Sequence, residues 1–330
     1  MSSRPRSAAL NRVGVTALLV SAVAVVSVTG VVGVSSPAAA SPTSRPAASV
    51  SYDLPEAGVY LEGIGIDQRA GYVYVSATNR DGTIYRGRLG SPELSVWVGP
   101  RAGDNGRGIA VDAAGRVYVA GGPSGEVRVL GRDGSLLAEL ATGATGSFLN
   151  DVWIGPDGAA YVTDSSLPIV WRVARQHGTW TIQNWLDVSA TVPYTPALTD
   201  FDLGGIVSTP DRRYLLVAQG TTGALWRIDL HTKAVRQVAV DGAPLLNADG
   251  LALRGRTLVV VQNFVRTITT LRLSADWGSA RVSEVTATPA TRTLTTADFA
   301  RGDLLVVDSQ FGFPAAQVPA IGRVIPFRIR

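Results

Sequence analysis

No cysteine occurs anywhere in the chain, so no disulfide braces it and no thiolate can bind zinc or act as a nucleophile. Histidine is nearly as scarce. His177 and His231 both sit in stretches that read as turns between strands, which argues against a Ser-His-Asp triad or a multi-histidine metal centre. Lys233 is the only lysine, leaving little room for Schiff-base chemistry. Positive charge is also scarcer than it looks. The chain carries 30 basic and 26 acidic residues, but Arg4, Arg6 and Arg12 lie in the first forty residues, which hold no acid. The remainder is close to neutral with scattered arginines, so no nucleic-acid partner is expected.

Those first residues have their own logic. Three arginines precede an uncharged apolar run from Val13 to Val34, followed by Ser35-Ser36-Pro37-Ala38-Ala39-Ala40. This is the pattern of a signal peptide over 1–40, cleaved after Ala40. An uncleaved anchor is the alternative, because about twenty apolar residues suffice to span a bilayer. Residues 41–55, rich in Ser, Pro and Ala, read as a linker. A secreted, extracellular monomer with no stable membrane insertion after cleavage is therefore expected. Without disulfides, an exported domain over 56–330 must be held by its apolar core, and 46% apolar composition can supply one.

What the chain does have is a repeat. Leu61-Glu62-Gly63-Ile64 leads through a turn to Tyr72-Val73-Tyr74-Val75 and then to Thr83-Ile84-Tyr85, and variants of this phrase recur five more times. Taking Gly63, Gly108, Asp151, Gly205, Gly250 and Asp298 as equivalent gives spacings of 45, 43, 54, 45 and 48 residues. Short apolar or alternating runs bounded by Gly, Asp and Pro at this period predict an all-β fold, a six-bladed β-propeller of four-stranded blades. The long third spacing accommodates an insert over 180–199 that could overhang one face.

In a propeller the innermost strand of each blade runs along the central channel, so the residue just before it points at the channel mouth. That position reads Glu62, Arg107, Asn150, Gly204, Asp249 and Ala297. Two carboxylates and an amide from separate blades would repel or lie unsatisfied unless a cation joined them. Their oxygens suit calcium, with magnesium, manganese or zinc as alternatives. The ends of the second strands add Asp164, Gln219, Gln262 and Asp308 as an outer layer around the site. Each residue singly also fits an ordinary turn or cap.

Glu62-Gly63, Asn150-Asp151, the Gly205-Ile206-Val207-Ser208 strand and Asp249-Gly250 resemble the metal-site motifs of the family joining senescence marker protein, gluconolactonase and luciferin-regenerating enzyme. The resemblance implies a divalent metal held by Glu62, Asn150 and Asp249, and hydrolysis of a lactone or ester, with the metal polarising the carbonyl and Asp249 activating water. Arg107, Phe148 and Asp202 are the expected substrate contacts. Two departures stand out: Gly204-Gly205 replaces the family's Asn-Gly, and Phe148 stands where lactone-hydrolysing members tend to place an arginine. Asp202 is the residue that could replace the missing ligand. Two other readings are a propeller that binds a ligand or partner without catalysis, and an enzyme of another type, such as a cyclase or lyase.

Overall fold

A computed structural model describes residues 50–194, 201–318 and 324–327. The expected leader and most of the linker lie outside these residues. Apart from one 3-10 turn at Ala315–Gln317, every regular element is a strand, and among the described residues no helix is long and apolar enough to cross a membrane.

The first sheet runs outward through Leu61–Asp67 (β1), Tyr72–Ala77 (β2), Ile84–Arg88 (β3) and Ser95–Val98 (β4), and the second through Ile109–Val111 (β5), Val117–Ala120 (β6), Glu126–Leu130 (β7) and Leu136–Ala141 (β8). The third comprises Leu149–Ile154 (β9), Ala160–Asp164 (β10), Ile169–Gln176 (β11) and Thr179–Asp187 (β12), and the fourth Leu203–Ser208 (β13), Tyr214–Gln219 (β14), Ala224–Asp229 (β15) and Val235–Gln237 (β16). In the fifth, Ala239–Asp241 (β17) adds in parallel to the outer edge of a meander formed by Ala248–Arg254 (β18), Thr257–Gln262 (β19), Thr267–Leu273 (β20) and Ser279–Ala287 (β21). The last sheet holds Leu294–Ala300 (β22), Asp303–Asp308 (β23) and Val324–Phe327 (β24).

The innermost strands β1, β5, β9, β13, β18 and β22 contact one another in that cyclic order, which makes the molecule a β-propeller. The expectation of six four-stranded blades needs correction. Five sheets have the four or more strands of a full blade, whereas the sheet of β22 to β24 has three among the described residues. Between β23 and β24 the chain turns through the 3-10 segment, where the Gly58 amide donates to the Val318 carbonyl.

Burial explains the strand sequences. A blade packed on both faces needs middle strands that are apolar throughout, and Tyr214–Gln219 and Ala160–Asp164 are buried at every residue. Outer strands meet solvent on one side and alternate, as in Ser279–Ala287. Each pair of neighbouring sheets encloses its own apolar cluster: Tyr74 meets Val119, Tyr118 meets Val162, Val170 meets Leu215, Leu216 meets Val260, Val259 meets Val306, and Val75 meets Val307. At about 1.5–3 kcal/mol for each fully buried aliphatic side chain, these seams stand in for disulfides. Tyr52 and Leu54, at the tail of the segment read as linker, are buried in the seam that joins the last sheet to the first. The described part of the insert is likewise drawn in. Trp185, Val188 and Val192 are buried between the third and fourth sheets, and residues 195–200 lie outside the described residues.

Candidate functional site

Strand register fixes the channel mouth. Where the inner strand pairs with the second strand, the register shifts between Leu61 and Ile64, Leu203 and Ile206, Ala248 and Leu251, and Leu294 and Ala297. Each shift lets two residues bulge from the ladder, which re-aims their side chains. In the first and fifth sheets the pairs are Glu62-Gly63 and Asp249-Gly250. In the last sheet the pair is Thr295-Thr296, which corrects the sixth repeat by two residues. Ala297 is not at the mouth; Thr295 is, and its hydroxyl donates to the Glu62 carbonyl at 2.9 Å.

The second residue of each pair forms a tight ring. A Cβ on Gly63 would lie 2.3 Å from the Arg107 carbonyl oxygen, one on Gly108 2.5 Å from the Asp151 Cα, one on Gly205 2.6 Å from the Asp249 carbonyl oxygen, and one on Gly250 2.4 Å from the Thr296 Cα. At these four seams the neighbouring inner strand approaches too closely for a side chain, which is why glycine recurs there, while Asp151 and Thr296 hold the same position in the third and last sheets.

Above this ring the structure brings Glu62, Arg107 and Asp249 into one electrostatic unit. Burial raises the Glu62 carboxyl well above its ordinary value, and the charges of Asp249 and Asp151 add to the rise while Arg107 opposes it. Burial also pushes Asp249 up to about 7, against an Asn263 hydrogen bond and the charge of Arg107. Asn263 Nδ2 donates to Asp249 Oδ2 at 2.9 Å. Asn150 is buried, and its Nδ2 donates to Ser165 Oγ at 2.8 Å, which leaves the Oδ1 as the amide's other polar atom. The Arg107 guanidinium lies over the Phe148 ring at 5.0 Å and the Phe311 ring at 5.8 Å, a cation–π clamp, and its Nε is buried without a hydrogen-bond partner among the described residues.

Other expected site residues are engaged elsewhere. Gly204 supplies no side chain, and its carbonyl accepts from Thr163 Oγ1 at 2.7 Å. Asp202 accepts from Gln219 Nε2 at 2.9 Å and from the Thr221 hydroxyl, so its carboxylate serves the fourth sheet rather than a substrate. The outer layer braces individual blades. Asp164 accepts from Trp171 Nε1, Gln219 Oε1 from Trp226 Nε1, and Gln262 Oε1 from Thr269 Oγ1, in every case a partner seven residues on, in the third strand. Asp308 pairs with Arg292 at 3.3 Å and accepts from Gln310. Both histidines are exposed in turns, as expected.

The sequence reading passed over two channel acids. Asp151 and Asp298 line a cavity of about 250 Å³ with Ile64, Ile109, Ile206 and Leu251. Burial raises each to about 7. Backbone amides hold them: Val152 and Ile206 donate to Asp151 at 2.8 and 3.2 Å, and Phe299 donates to Asp298 at 2.7 Å. An acid where other repeats carry glycine was the available signal for Asp151. A larger cleft of about 1240 Å³ opens at the perimeter between the fourth and fifth sheets and includes neither Glu62 nor Asp249. Among the described residues the acidic trio whose oxygens come within 4.8 Å of one another is Asp104, Glu126 and Glu139, on the second sheet's flank. Arg128 and Arg101 pair with Asp104 there, which makes an ion-pair network of it.

Comparison with known proteins agrees with this architecture. Residues 84–121 match the family model described as a beta-propeller repeat. A search of the curated proteins finds no significant match. Among solved structures, the Malassezia sympodialis allergen Mala s 1 superposes with a TM-score of 0.63 at 15% identity, over 84% of this chain and 95% of that one. A Xanthomonas campestris gluconolactonase gives 0.57 at 19%, over 78% and 85%. Virginiamycin B lyase from Staphylococcus aureus gives 0.57 at 14%, over 78% and 80%. At these identities the likeness establishes the fold, and the chain is a β-propeller protein.

Proposed function

We propose that this protein is an exported, metal-dependent hydrolase that opens a lactone or ester at the channel mouth. The observation that carries the reading is the convergence of Glu62 and Asp249, from non-adjacent sheets, close enough for the Asp249 charge to act on Glu62 and for Arg107 to act on both. A gluconolactonase among the structural neighbours supports the same reaction class.

The donor set fits a hard cation. Asn263 occupies one Asp249 oxygen and Ser165 occupies the Asn150 amide nitrogen, so Asp249 Oδ1, Asn150 Oδ1 and the Glu62 carboxylate remain to hold calcium, or magnesium, manganese or zinc. Such an ion, when bound, supplies Lewis-acid polarisation of a carbonyl oxygen. The protein's own residues do the rest. Asp249 stands at the mouth with one oxygen held by Asn263, which keeps the carboxylate oriented to act as a general base. Asp249 takes a proton from water as the water oxygen bonds to the carbonyl carbon; the C–O bond to the leaving alkoxide then breaks, and the proton passes to that oxygen. Arg107, held beside two phenyl rings and partly exposed, presents its guanidinium to a substrate oxygen.

The test is a lactone and ester panel on the mature protein with calcium. Asp249→Asn should lower kcat by about a hundredfold or more. Equal turnover by wild type and variant would overturn the mechanism, and absence of turnover with every metal would favour the binding propeller. Export is tested by N-terminal sequencing of protein from the medium, with Ser41 the expected first residue.

A further inference from the structure

The polar side chains that could read a polyhydroxylated substrate are already engaged. Asp164, Gln219 and Gln262 bond inside their own sheets, and Asp202 bonds to Gln219 and Thr221. What lines the mouth instead is aromatic. Tyr60 meets Phe311 at 5.7 Å, Phe311 and Phe148 hold Arg107 between them, and Phe148 meets Phe201 at 4.9 Å. Phe264 follows Asn263, the residue bound to Asp249. Its amide donates to the Asn263 side chain, so the ring is anchored one residue from the proposed base's partner. Phe201 and Phe264 are 45% and 57% exposed, so their ring faces are open to a ligand.

Charge at the mouth narrows the ligand further. With the proposed divalent cation in place the two carboxylates are balanced and Arg107 adds a positive charge, so a cationic ligand is repelled. The negative faces of the phenyl rings disfavour an anionic one. A neutral ligand meets neither penalty. An aromatic ring offered to this arc gains buried apolar area and edge or offset stacking, whereas sugar hydroxyls would lose water without gaining partners.

Resting on the hydrolase reading, we infer that the substrate is a neutral aryl lactone or ester, whose flat ring lies on Phe148, Phe201 and Phe264 while its carbonyl reaches Glu62 and Asp249. Phe148 is then a specificity residue: it replaces a polar anchor with a ring-stacking surface.

Binding and turnover are measured separately, so that the two ideas can fail separately. Calorimetry uses dihydrocarbostyril, the non-hydrolysable lactam of dihydrocoumarin, and gluconolactam as the polar counterpart, on calcium-loaded wild type, Phe264→Ser and Phe201→Ser. The exposure of both rings keeps the variants folded, which melting curves verify. Wild type should bind dihydrocarbostyril at least about tenfold more tightly than gluconolactam, and each variant should lose about three- to tenfold for the aryl lactam only. If the aryl lactam binds with this dependence but dihydrocoumarin is not turned over, the hydrolase reading fails and the ligand class stands. Preference for gluconolactam, binding indifferent to both variants, or no binding of either lactam would overturn the inference.

Discussion

The channel holds two pairs of acids, one above the glycine ring and one at and below it, and they differ in what faces the carboxylates. Above the ring, Glu62 and Asp249 share the charge of Arg107, Asn263 holds Asp249, and the surface beyond them is aromatic and open. Asp151, in the ring itself, and Asp298, below it, face isoleucine and leucine in a cavity of about 250 Å³ and are held by backbone amides. Titration at about 7 is common to Asp249, Asp151 and Asp298, because burial is the largest cause at each. A raised pKa therefore does not mark the functional level. Proximity of opposite charge, an orienting side chain and access are what set the proposed site apart.

The seam between the levels gives the largest expected effect. Gly250→Val puts a branched side chain where a Cβ alone would lie 2.3 Å from Thr296 Oγ1 and 2.4 Å from its Cα, so inner strands must separate. A loss of about 3 kcal/mol or more is expected in urea unfolding. Wild-type stability would show that the ring is looser than described. Next comes activity. Asp249→Asn should lose about a hundredfold in kcat, while Asp298→Asn, with a similar titration but on the lower level, should stay within about twofold. Equal losses would erase the distinction between the levels.

A smaller effect is pH dependence. Asp298 titrates at about 7 in the folded protein against an ordinary 3.8. Between those values the folded state holds a proton that the unfolded chain has released, so stability falls as pH rises from about 4 to about 7 and is lowest above that. Asp298→Asn should flatten this fall and gain about 1–2 kcal/mol at pH 8, after discounting the nominal shift for partial exposure. Chemical denaturation at several pH values checks it, and parallel curves for wild type and variant would count against a buried Asp298.

Much of this was legible in the chain. A period near 45 residues, with glycine at four of the inner-strand contacts, identified the propeller, and the convergence of Glu62, Arg107 and Asp249 followed from their shared place in the repeat. The last repeat was misread because Asp298 imitates the acid of Asp151, whereas the true counterpart, Thr295-Thr296, has neither glycine nor acid and is revealed only by the strand register. Asp164, Gln219 and Gln262 were read as facing the site because a strand's end lies at the mouth. Their bonds to the third strand seven residues on were the overlooked pattern. The aromatic arc could not be seen in advance, since Tyr60, Phe148, Phe201 and Phe311 come from separate loops with no common spacing.

The most direct test is calorimetric titration of calcium into the mature protein, wild type against Asp249→Asn and Asp298→Asn, with a melting curve for each. Wild type should take up one ion with a stabilisation of about 2.7 kcal/mol at a hundredfold excess over Kd, reversed by chelator. Asp249→Asn should abolish or strongly weaken that uptake, and Asp298→Asn should leave it intact. Uptake that survives Asp249→Asn but is lost in Asp298→Asn, or a wild type that takes up no cation, would contradict the assignment of the chemistry to the upper level.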